Sequence, residues 1–204
     1  MSMNSLNSRM TRWTALLCLL VLSTGAQAVV ISSQLGNTGF GTAVYYGQGI
    51  TTPSGGSWHD IRFSFDSQPG AGTTNYAEGD LFILSTEYLG TPAGLSAATT
   101  GFVGLSTGVA GGMWTFASSV TLLANTTYYF VMGDRSPEIE TAIYGEFNNN
   151  APGLYFSSGA NVNYAGNAND FDHILEGNVV PEPATLVMMG FGLALLGFNR
   201  RRKQ

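Results

Sequence analysis

Glycine breaks this chain into short pieces. It occurs 23 times between Val29 and Asn178, in groups such as Gly55-Gly56, Gly70-Ala71-Gly72, Gly111-Gly112 and Pro152-Gly153. Between these breaks lie runs with strand chemistry, rich in β-branched and aromatic residues. His59 to Phe65 alternates, with Ile61, Phe63 and Phe65 expected inward and Asp60, Arg62 and Ser64 outward. Asp80–Ser85 has the continuous apolar character of a more buried strand, and Thr126–Met132 is the strongest β run. Met113–Phe116, Ala142–Tyr144, Leu154–Phe156 and Phe171–Leu175 follow the same chemistry, and Val29–Ile31 and Ala43–Tyr46 are expected to open the fold. About nine strands with no amphipathic helical pattern between them predict an all-β protein, an antiparallel β-sandwich. A jelly-roll-like topology is the first expectation. Periodicity alone leaves an immunoglobulin-like order open.

The two ends differ in kind from this body. Arg9 and Arg12 precede a short apolar run, Trp13–Leu22, and Ala26-Gln27-Ala28 is a small-x-small cleavage site. Residues 1–28 therefore have the form of a secretory signal helix, with Val29 as the mature N-terminus. At the other end, Pro181-Glu182-Pro183 precedes fifteen nearly apolar residues, Ala184–Phe198, and then Arg200, Arg201, Arg202 and Lys203. Fifteen helical residues span about 22 Å, a short transmembrane helix. The four cations form a membrane stop that stays cytoplasmic under the positive-inside bias. The chain thus divides into a signal peptide (1–28), one sandwich domain (29–178) and a C-terminal segment (179–204).

Val180-Pro181-Glu182-Pro183-Ala184-Thr185, the apolar helix and the basic cluster together resemble the PEP-CTERM sorting signal of Gram-negative bacteria, a segment also labelled an ice-binding-protein C-terminal domain. The resemblance implies that a membrane-embedded protease of the exosortase type recognises Pro181, Glu182 and Pro183 and processes the chain nearby. The inner membrane is then a transient partner, and the destination is the cell surface or the medium. More loosely, Met113–Phe116 followed by Leu122–Phe130 resembles the choice-of-anchor domains, which implies a surface β-sandwich without established catalytic residues.

Charge narrows the functional classes. Between Val29 and Val180 there are twelve acidic residues against two basic ones, Arg62 and Arg135, and no lysine, a net charge of about −10. Phosphate backbones are bound by clustered cations, so nucleic acid is excluded as a partner. The single cysteine, Cys18, lies in the signal region, so the mature domain has no disulfide, thiolate chemistry or cysteine-bound zinc.

No catalytic constellation stands out, and a non-enzymatic protein is expected. His173 beside Asp172 could be drawn into a Ser-His-Asp arrangement, but no nucleophile-elbow pattern accompanies it. A small hydrolase using two carboxylates is an alternative that the sequence leaves without a selected pair. No cofactor is expected. Calcium is the one metal whose oxygen-ligand chemistry suits the acidic groups Glu78/Asp80, Asp134/Glu138/Glu140 and Asn169/Asp170/Asp172, none of which follows a calcium-loop motif. Tyr45, Tyr46, Trp58, Tyr76, Tyr88 and Tyr164 lie near loops and are candidates for stacking on sugars, with sheet packing as the alternative. Extracellular polysaccharide is accordingly a candidate partner, through an adhesin-like carbohydrate- or calcium-binding surface.

Overall fold

The structure is a computed structural model. It describes residues 28–36, 39–67, 74–146, 153–167, 169–180 and 190. Both expected membrane-directed segments, Trp13–Leu22 and Ala184–Phe198 (apart from Gly190), fall outside them. Among the described residues no helix is long and apolar enough to cross a membrane.

The described chain is all-β and antiparallel, with one 3-10 turn at Pro92–Gly94. In chain order the strands are β1 (Val29–Gln34), β2 (Gly39–Ala43), β3 (Tyr45–Thr51), β4 (Ser57–Ser67), β5 (Thr74–Tyr76), β6 (Leu81–Leu84) and β7 (Phe102–Ala110). They continue with β8 (Met113–Phe116), β9 (Thr127–Met132), β10 (Thr141–Glu146), β11 (Leu154–Ser157), β12 (Ala165–Asn167), β13 (Asp170–Phe171) and β14 (His173–Val180). The main path through the sheet runs β1-β14-β4-β8-β7-β6-β9-β3-β11-β12, and β10 carries β2 and β13 beside it.

The sheet curls over on itself at β7. Phe102, Gly104 and Leu105 pair with β6, whereas Ser106 and Gly108–Ala110 pair with β8, with a register break between Ser106 and Gly108. A strand that changes partners along its length turns a corner, as bulged strands do. The half containing β4 then faces the half containing β9. Phe63 stacks on Phe130 with ring centroids 4.6 Å apart, and Tyr46 meets Phe171 edge-on at 5.0 Å. Trp114 is fully buried beside Phe63 and Phe65, and its indole N–H donates to the Gly79 carbonyl at 2.8 Å. Apolar burial of these rings is the main source of stability.

Ile61, Phe63 and Phe65 point inward with no exposure, as their alternation predicts. Ser64 departs from the expectation. It is fully buried, because a short side chain in the row between Arg62 and Asp66, opposite Ile174, is covered by its neighbours. Ala43–Tyr46 is a corner between two strands. The chain bends at Val44, where the Val44 N–H donates to Ser157 O and its carbonyl accepts from Arg135. The bend sends β2 to β10 and β3 to β9 and β11. Phe171–Leu175 is likewise divided at Asp172, whose N–H donates to Tyr144 O and whose carbonyl accepts from Asp66.

The strand β14 continues to Val180. It pairs with β4 through a bulge: Arg62 faces Glu176 and His59 faces Asn178, so Asp60 and Ile61 share the space opposite Gly177. Asp60 takes a left-handed φ of 52° there. Such a conformation suits Asp better than most residues.

Candidate functional sites at the chain ends and in an open cleft

Ala28 is exposed and precedes the first strand, and Val29, the expected mature N-terminus, is the first residue of β1. Ala26, Pro181, Glu182, Pro183 and Arg200–Lys203 lie outside the described residues. Their approach is nonetheless defined. Antiparallel β1 and β14 place Val29 opposite Gly177, so the expected start of the mature chain lies beside the end of the last strand. On the other flank of β14, Val179 faces Trp58 and Val180 faces Ser57. No flexible linker separates the sheet from the Pro-Glu-Pro tripeptide.

A polar cluster surrounds Arg135, one of the two cations of the domain. Its side chain is 4% exposed. The guanidinium pairs with Glu78, donates to Tyr76 Oη at 2.6 Å and to Val44 O at 3.1 Å, and also reaches Ile139 O. Nearby, Tyr45 Oη donates to Asp134 Oδ1 at 3.0 Å, and Glu138 Oε1 accepts the Ala160 N–H at 2.7 Å. Burial, reinforced by Asp134 and Glu138, pushes the Tyr45 phenol up to about 12. A buried guanidinium needs its donors satisfied; here the two terminal nitrogens are met by a carboxylate, a phenol and two carbonyls, while Nε is buried without a hydrogen-bond partner.

Five of the eight candidate calcium residues make such contacts. Glu78 is turned to Arg135, Asp134 and Glu138 to the Tyr45 side, Asp170 Oδ1 accepts from Gln48 Nε2 at 2.8 Å, and Asp172 Oδ1 accepts from the Gly36 N–H at 3.1 Å. Among the described residues no group of three or more His, Cys, Asp or Glu side chains is placed to hold a metal ion.

His173 is buried. Its Nδ1 lies 2.8 Å from Phe171 O and therefore carries the proton, which leaves Nε2 to accept from Ser32 Oγ at 3.1 Å. A main-chain carbonyl, not Asp172, thus orients the ring. Burial holds the imidazole pKa below its ordinary value.

Of the six aromatic residues proposed for sugar stacking, Tyr45, Tyr46, Trp58 and Tyr164 are buried in the core, and Tyr76 and Tyr88 are half-buried against it. Among the described residues the exposed aromatic ring is Phe156, 40% exposed. It lines a cleft with an empty volume of about 600 Å³, counting the part open to solvent. Gly41, Ala43 and Gly145 give the cleft small walls, Leu154 and Phe171 apolar ones, and Asn167, Asn169 and Glu146 line it with polar groups. Glu146 also accepts a hydrogen bond from Gln34. Sequence reasoning missed this cleft, because glycines and amides carry no chemical signature until the fold brings them together.

Together these features define an all-β domain with an open cleft and a last strand that ends at Val180, the residue before Pro181. Residues 179–203 match the family model of the PEP-CTERM protein-sorting motif. No curated protein and no solved structure matches the chain. The match agrees with the resemblance carried by Val180–Thr185, and it supports export and exosortase-mediated sorting to the cell surface or the medium.

Proposed function

We propose that this is a non-enzymatic surface or extracellular-matrix protein, cut near Pro181–Pro183 by an exosortase-type protease after removal of residues 1–28. The observation that carries the reading is the sorting motif at residues 179–203, attached without a linker to the last strand. Proline restricts its own backbone and that of the preceding residue to non-helical, extended forms, and an extended Pro-Glu-Pro sequence is one that a processing enzyme can grip. The acidic, lysine-free body suits a soluble extracellular module. The two facing halves of the curled sheet support a jelly-roll-like sandwich as its architecture. In an exosortase-competent host, replacing Pro181, Glu182 and Pro183 by alanine is expected to leave the uncut precursor in the inner membrane. Normal processing and release of that variant would refute the proposal.

A second reading, binding of extracellular polysaccharide, is favoured by the cleft. An exposed ring beside two amides and a carboxylate offers stacking and hydrogen bonds to a hydroxyl-rich ligand. The two-carboxylate hydrolase has less support there. Glu146 is the one carboxylate lining the cleft among the described residues, and that chemistry uses two. Co-sedimentation of the secreted protein with the host's polysaccharide, in calcium and in EDTA, tests the binding. A Phe156→Ala variant that sediments as well as the wild type would remove the cleft from this account.

A further inference from the structure

The sorting motif begins inside the sheet. Its first two residues, Val179 and Val180, are also the last two of β14. On one side they face Trp58 and Ser57 of β4. On the other side β1 stops at Val29, opposite Gly177, and no described strand continues beside Asn178–Val180.

Hydrogen-bond alternation tells which backbone groups this open edge presents. Trp58 spends both its N–H and its carbonyl on Leu122, at 2.8 and 2.9 Å, so it turns them away from β14. The Trp58–Val179 pair is therefore a non-hydrogen-bonded one. The N–H and carbonyl of Val179 point the other way, to the β1 side, beyond the position of Val29. The Val179 side chain is itself 38% exposed. At the same place Asn178 donates from Nδ2 to Asp60 Oδ2 at 2.9 Å, while its Oδ1 is buried without a hydrogen-bond partner.

We propose that this open edge at Asn178–Val180 is a docking strand for the processing protease, which adds an extended segment of its own beside Val179. The inference rests on the sorting reading above. Its argument is access. Gripping Val179 and Val180 from the β4 side requires unpairing them from Ser57 and buried Trp58, whereas the other side offers a donor and an acceptor that no described residue pairs, on a strand that ends next to Pro181 in the sequence. The length of this edge is set by the other end of the chain. A mature start at Val29 leaves it open, and three more residues would cover it.

The test inserts three residues between Ala28 and Val29 of the full chain, keeping valine first after the signal cleavage. Val-Thr-Thr extends β1 alongside Asn178–Val180. Val-Pro-Pro has the same length but lacks the N–H groups for pairing. C-terminal processing is followed by pulse-chase in an exosortase-competent host. Val-Thr-Thr is expected to slow it about tenfold, the effect of losing one or two net hydrogen bonds of binding, while Val-Pro-Pro is processed like the wild type. Equal rates for both insertions, fast or slow, would overturn the edge proposal while leaving sorting intact. A wild-type chain that is never processed would instead refute the reading on which it rests.

Discussion

Val29 and Gly177 lie opposite each other on antiparallel strands, one opening the domain and the other four residues from Pro181. The expected mature start and the C-terminal end of the last strand therefore lie at the same end of the sheet.

Gly177 is required by packing. A Cβ at that position would lie 2.9 Å from Ile61 Cδ1, 3.0 Å from Ile31 Cδ1 and 3.1 Å from the His59 carbonyl. Gly177→Ala should cost about 1–3 kcal/mol, as overpacking generally does. Urea denaturation of the secreted protein should show a lowered midpoint with an unchanged slope. An unchanged midpoint would mean that the bulge opposite Asp60 and Ile61 relaxes freely.

Arg135 and Glu78 should differ sharply when each is replaced. Arg135→Met leaves the Val44 and Ile139 carbonyls without their charged donor inside the domain, and about 2–4 kcal/mol should be lost. The Glu78 side chain is 44% exposed, so Glu78→Gln should cost less than about 1 kcal/mol. Comparable losses from the two variants would contradict the assignment of Arg135 as the tie between the 133–140 loop and the bend at Val44.

His173 predicts an acid-side weakness. Burial lowers its folded-state pKa below the ordinary 6.5, so the unfolded chain binds the proton more readily. Its contribution is complete above about pH 6.5 and is lost as the pH falls from there toward the folded-state value. Melting temperatures between pH 7.5 and 5 should fall less steeply for His173→Phe than for the wild type. Parallel slopes would show that another group controls the acid limb.

The cleft makes a separate prediction. Asn167→Ala and Asn169→Ala should weaken sedimentation with polysaccharide without moving the melting temperature by more than about 2 °C, since both side chains stand at the surface of the cleft. Loss of stability in step with loss of binding would mark them as structural.

The strand chemistry of His59–Phe65, Asp80–Ser85 and Thr126–Met132 was legible because alternation or continuous apolarity dominates there. The strand β7 was not. Phe102–Ala110 carries two glycines and mostly exposed side chains, since it turns the corner of the sheet and packs fully against neither half. Val44 and Asp172 break apparently continuous runs through distant hydrogen bonds to Arg135 and Tyr144, contacts that no local window contains. Arg135 itself offered a signal: a rare cation in a lysine-free domain has many carboxylates to meet. The C-terminal segment was legible for the opposite reason, since its prolines, apolar run and cations are contiguous.

Processing at the C-terminus is read from the intact mass of the protein recovered from the surface and medium, in hosts with and without the exosortase. A species starting at Val29 and ending close to Pro183 is expected in the first host, and a membrane-held chain ending at Gln204 in the second. A chain extending from Val29 to Gln204 in the medium of both hosts would contradict it.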